Sequence, residues 1–144
     1  MTREELSKLL SSPYHLTKGM ELKRERLIRL RSMAEKATGT MKAIAVSGGG
    51  GRSKVEDNTI AYLELADEIE ADMKKMAEDS RKIASLIALV DGPRTRNVME
   101  AYHLNRMSRD AIATRLYLSI ATVDRDLRAG REEILRKVGE DEQT

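Results

Sequence analysis

Between residues 108 and 128 the chain reads Ser-Arg-Asp-Ala-Ile-Ala-Thr-Arg-Leu-Tyr-Leu-Ser-Ile-Ala-Thr-Val-Asp-Arg-Asp-Leu-Arg. Its polar side chains are guanidinium forks and hydroxyls, which donate hydrogen bonds to phosphate oxygens and base edges. No nucleophile is paired locally with a base, so catalysis is not expected and the chain is not read as an enzyme. His15 and His103 stand far apart with no His or Cys at ligand spacing, and the chain has no Cys. A metal site is therefore not expected; a capping or surface role is assigned to both histidines. Four glycines after Val46 imitate a nucleotide loop, but no Gly-Lys-Ser/Thr ending follows, so no cofactor is implied.

To present those groups to a duplex, the segment must fold as two short helices with a tight turn, and its spacing allows this. Ser108 can cap the first helix, Ile112 and Leu116 face a core, and Ala113 is small where the helices cross. Leu118 plugs the turn, Ser119 caps the second helix, and Val123 and Leu127 hold it down. Ala121, Thr122 and Arg125 are then assigned to base edges, and Ser108, Arg109, Arg115, Ser119 and Arg128 to phosphates. From Arg94 to Lys137 there are ten Lys/Arg against six Asp/Glu, nine of the ten being Arg, which suits phosphate binding.

The preceding sequence has the pattern of long helices. Thr2 and Glu5 have capping-box spacing for a short first helix ending near Ser11 and Ser12. Ser12 and Pro13 then open a second helix, with Leu16, Met20, Leu27, Leu30, Ala34, Ala37 and Met41 on one stripe and Lys23 filling the gap. Residues 47–53 (Ser-Gly-Gly-Gly-Gly-Arg-Ser) predict a flexible bend. Beyond it Tyr62, Ala66, Ile69, Met73, Met76, Ser80, Ile83, Ile87 and Val90 keep a 4-3-4-3 rhythm. Asp91, Gly92 and Pro93 mark a boundary. Three small helices follow, around Val98, Met99, Tyr102, Ile112, Ala113, Leu116, Val123, Leu127, Ile134 and Leu135.

The expected fold is all-α: a long antiparallel helical hairpin (1–90), then a small helix-turn-helix bundle (91–138) and an acidic tail (139–144). Stripes of this kind can also pair between subunits, making a homodimer. With 35% charged residues, no Trp and no Phe, β-rich folds are disfavoured. No apolar run is long enough to span a bilayer and the first residues lack a signal-peptide core, so no membrane partner and a cytoplasmic location are expected.

Residues 91–135 resemble region 4 of sigma-70-type factors, on Arg94, Arg96, Ile112, Ala113, Leu116, Ser119, Thr122 and Val123. The layout as a whole is similar to small phage late-transcription regulators of the ArpU and RinA type. The resemblance implies sequence-specific binding of double-stranded DNA and contact with host RNA polymerase. Two other readings share the pattern: a small terminase subunit recognising a packaging site, and a polymerase- or sigma-binding protein that does not touch DNA. Two departures stand out. Tyr117 occupies a position where such turns favour Gly, which predicts a wider turn. Asp124 and Asp126 put negative charge on the second helix, Asp124 as an acceptor for cytosine N4 and Asp126 as a partner for a nearby Arg.

Overall fold

The computed structural model describes residues 1–44 and 52–143. Within them the chain is all-α, with no strand: α1 (Arg3–Ile44), α2 (Arg52–Ile87), α3 (Pro93–His103), α4 (Arg109–Leu116) and α5 (Ile120–Gln143). None of these helices is long and apolar enough to cross a membrane. The chain divides into two compact units, residues 16–75 and residues 1–15 with 76–144. It does not divide at 90/91. The expected glycine-rich bend lies, for residues 47–51, outside the described residues, while Arg52 and Ser53 already belong to α2.

The first helix opens on the expected capping box: the Glu5 amide donates to Thr2 Oγ1 and the Thr2 amide to Glu5 Oε2, each at 3.1 Å. It does not stop at Ser12. Pro13 sits inside α1, although an interior proline costs a helix about 3 kcal/mol. Tertiary anchoring of the turns that precede it outweighs that cost. Leu6 and Leu10 are buried in the core, and the Ser12 hydroxyl, instead of capping a new helix, donates to the buried Asp79 carboxylate.

In the unit 16–75, α1 and α2 run antiparallel. Lys23 pairs with Asp72 at 2.6 Å; further along, Arg26, Arg29 and Leu30 line a groove with Ala61, Glu64, Leu65 and Glu68. Pairing of rising with falling residue numbers fixes the direction. The gap in the α1 stripe at Lys23 is thus a polar rung, and Asp72 takes the inward position expected of Met73, which is exposed. Leu65, absent from the expected stripe, is buried beside Ile69. The side chains of Ala37 and Met41 lie outside the described ones.

The other unit holds the main core: Leu6 and Leu10 of α1, Ile83, Ile87 and Val90 from the end of α2, and Val98, Met99, Ile112, Ala113, Val123, Leu127 and Ile134 from α3–α5. The expected C-terminal bundle therefore shares its interior with residues on the far side of the expected boundary. Its third helix is longer than expected, continuing through the acidic tail to Gln143. Gly130 is where α5 meets α3: a Cβ there would stand 2.8 Å from Met99 Cγ and Sδ, so any side chain at this position would require the buried Met99 to move. Val90 and Leu89, past the end of α2, have carbonyls capped by cations: Arg96 donates to Val90 O at 2.8 and 2.9 Å, and Lys137 to Leu89 O at 2.6 Å.

Two side chains trade places relative to expectation. Tyr102 is exposed, while His103, expected as a cap or surface group, is buried at 8% exposure. The helix turns residue 103 towards the core beside Met99, four residues earlier on the same face. Burial, helped by the positive charge of Arg131, pushes the imidazole down to about 4. The folded state thus keeps His103 neutral where the unfolded chain, with its ordinary value of 6.5, takes up a proton. Stability should accordingly fall by about 2 kcal/mol as pH drops from roughly 7 to 5. Urea denaturation across that interval should show the slope, and His103→Gln should flatten it.

Candidate nucleic-acid interface

The α4–turn–α5 segment is built as the spacing requires. Ser108 Oγ accepts the Ala111 amide at 3.1 Å and Ser119 Oγ accepts the Thr122 amide at 3.1 Å, so each hydroxyl satisfies one first-turn N–H. Ile112, Ala113, Val123 and Leu127 are buried, and Leu116 and Leu118 pack against the same core. The wider turn does not occur. Tyr117 itself adopts the left-handed conformation (φ 56, ψ 45), and the Leu118 amide closes the turn on Ala113 O at 2.9 Å. A tyrosine pays only the intrinsic backbone penalty there, because its ring, 95% exposed, meets no obstacle.

Ala121, Arg125 and Arg128 are exposed and, at about 100° per residue, fall within roughly 60° of one another on the side of α5 opposite Val123. This is the face the sequence assigned to DNA. Further along the same face Glu132 is engaged by Arg3 at 2.8 Å, so the bare stretch is confined to the first turns of α5. Thr122 is set apart from this group: it is half-buried and its hydroxyl lies 2.8 Å from that of Ser119, which commits it to the cap. Tyr117 and Ile120, neither of them among the assigned residues, are exposed at the same end. The signal for Tyr117 was its place at a glycine-favouring position; nothing in the spacing singled out Ile120.

The two carboxylates are held internally. Arg109, assigned to phosphate, donates to both oxygens of Asp124 at 2.8 and 3.0 Å. The Asp124 hydrogen bond and charge hold its guanidinium above the ordinary value. Asp124 is thus an intramolecular brace between α4 and α5, and the expected cytosine contact gives way to it. Asp126 is 3% exposed and takes a paired fork from Arg94 at 2.9 and 3.1 Å. Thr95 Oγ1 lies 3.4 Å from the same carboxylate. The expected Arg partner of Asp126 is therefore Arg94, and both arginines of the expected first helix, Arg94 and Arg96, serve internal bonds. Arg115 is exposed but lies on the other flank of α4 from Arg109, beside Asn97, Glu100 and Asn105 of the α3 side. The assigned phosphate contacts are therefore not all brought together.

Among the described residues no cluster of His, Asp or Glu could hold a metal ion. Chemically, the arrangement offers a braced helix end with two exposed guanidiniums, a small side chain between them and its neighbouring acids neutralised.

The family model described as Protein of unknown function (DUF1492) matches residues 20–134, and the chain belongs to that family. No curated protein and no solved structure matches the chain.

The Arg94–Asp126 pair yields an asymmetric prediction. Arg94→Ala strands a buried carboxylate and should lower the melting temperature more than the double change Arg94→Ala/Asp126→Leu, which removes the charge as well. Thermal melts of the two variants beside the parent decide it; equal losses would mean the pair is not coupled.

Proposed function

We propose that this member of the DUF1492 family is a sequence-specific double-stranded DNA-binding transcription regulator, a phage or prophage late-gene regulator that acts at a promoter with host RNA polymerase. One observation carries this reading. The first turns of α5 keep Ala121, Arg125 and Arg128 exposed on one face, while Asp124 and Asp126, which would repel phosphates, are tied to Arg109 and Arg94. The same pairing takes Asp124 and Asp126 out of the case for a polymerase-binding protein that avoids DNA. The resemblance to sigma-70 region 4 supports the same use of these helices. Arg125 reads a base edge, Ala121 contacts a thymine methyl, and Arg128 binds phosphate. Thr122 and Ser119 shape the helix start, and Arg109 reaches phosphate only as one arm of its ion pair.

The unit 16–75 supplies self-association in this reading. Among its described side chains only Met20, Leu65 and Ile69 are fully buried apolar groups, whereas Leu22, Ile28, Met33, Ile60, Leu63 and Met73 are exposed. A two-helix layer with so thin a seam buries little surface by itself. Its two flanks differ. One carries Arg26 and Arg29 beside Glu64 and Glu68. The other carries Arg31, Ala34, Glu35, Thr59 and Tyr62, and steps of three and four along each helix place Ile28, Leu63, Ala66 and Met73 on this second flank. Residues 16–36 hold seven Lys/Arg against three Asp/Glu, and residues 56–75 two against seven. A second copy related by a two-fold axis, laying its acidic α2 on the basic α1 of the first, covers both apolar strips and pairs the charges twice.

Two experiments test these readings. In binding assays on fragments of the surrounding genome, Arg125→Ala should cost about 1–3 kcal/mol for one preferred base and relax selectivity there. Arg128→Ala should weaken all sequences alike and reduce the salt slope by about one; identical behaviour of the two variants across scrambled sites would remove the division of labour. Separately, sedimentation equilibrium should find a dimer at micromolar concentration that Ile28→Glu converts to monomer with unchanged helicity. A monomeric parent chain, or a dimer indifferent to that change, would exclude the flank as the interface.

A further inference from the structure

The unit formed by residues 1–15 and 76–144 contains a cavity of about 510 Å³ between the first turns of α1, the end of α3 with its following loop, and α5. That volume lies in the range of small-molecule sites. We propose that it binds a small aromatic carboxylate, and the site stands whether or not the chain binds DNA.

The lining determines the ligand class. Leu10 and Met107 line it together with Tyr14 and Tyr102, which keep 54% and 38% exposure and supply aromatic surface for a planar body. The charged residues lining it are Arg106 and Arg131, and among the described residues no carboxylate lines it. An anion is favoured over a cation or a neutral group, and a guanidinium fork matches a carboxylate best. The Ser7 and Ser11 hydroxyls can donate to a second polar substituent.

Two of the lining residues carry further features that mark this cavity as a site. His103 lines it, is more than nine-tenths buried, and its Nε2 has no hydrogen-bond partner among the described residues. Buried polar atoms are almost always satisfied, so an imidazole nitrogen left unpaired at a cavity wall calls for a partner from within the cavity. Arg106 adopts φ 57, a conformation disfavoured for an L side chain, in a short loop pinned by Asn105 N to Glu100 O and Met107 N to Ala101 O, both at 3.0 Å. Backbone outliers held in place by their surroundings cluster at ligand clamps.

The full-length chain, titrated with benzoate, cinnamate and naphthoate and with the uncharged amide of each, provides the test by amide and imidazole NMR. At least one carboxylate should bind saturably at millimolar concentration or below, moving the resonances of Tyr102, His103 and Arg131, while its amide binds about tenfold more weakly or not at all. Arg131→Gln, a change at an exposed position, should weaken the carboxylate about tenfold with helicity unchanged, and Tyr14→Ala should weaken carboxylate and amide together. The proposal is overturned if no carboxylate saturates these resonances. Equal affinity for acid and amide, or binding that survives Arg131→Gln undiminished, overturns it as well.

Discussion

Asp126 is a carboxylate on a helix whose outer face is rich in arginine, and it is buried. The paired fork of Arg94 makes this tenable, because a buried charge without a partner costs several kcal/mol. The consequences reach beyond the pair. Arg94 lies on the first turn of α3 and Asp126 on the second turn of α5, so the bond sets how α3 meets α5. Gly130 then lets the helices close to contact at Met99. With α5 held on that side and braced to α4 through Arg109 and Asp124 on another, its first turns are left bare in a rigid frame.

The same unit shows why an apparent C-terminal module is not self-contained. Two short helices and one longer one bury little surface by themselves. Here Leu6, Leu10, Ile83 and Ile87 complete the interior, and Arg96 and Lys137 close the carbonyls that follow α2. The end of α2 and the start of α3 therefore behave as one structural joint, and the Gly92–Pro93 break changes direction without separating cores. Polar rungs recur in both units: Ser12 with Asp79 in one, Lys23 with Asp72 in the other. A polar pair at a core position selects one register over its neighbours, since a slipped pairing would leave a charge facing apolar groups.

The cavity and the bare face of α5 lie in one unit and share the region around Ser108. Ser108 caps α4 and lines the cavity; the next residue, Arg109, braces α5. A group bound among Tyr14, Tyr102 and Arg131 would therefore sit one residue from the contact that orients the proposed reading helix.

Periodicity and local stereochemistry were enough to establish the helical class and most helix starts, though not the continuity of α1 through Pro13. The 4-3 spacing, the Thr2–Glu5 box, the serine caps at 108 and 119 and the Gly92–Pro93 break all act within a few residues, so they are legible in the chain itself. They also brought Ala121, Arg125 and Arg128 to one face. What remained undetermined depends on partners far away in sequence. Pro13 continues a helix because Leu6, Leu10 and Asp79 hold its neighbours; Asp124 and Asp126 are neutralised by arginines 15 and 32 residues away; His103 is buried and Tyr102 is not. Local sequence dictates backbone conformation over one or two turns, whereas burial and charge pairing depend on which turns meet, and only the packed tertiary structure decides that.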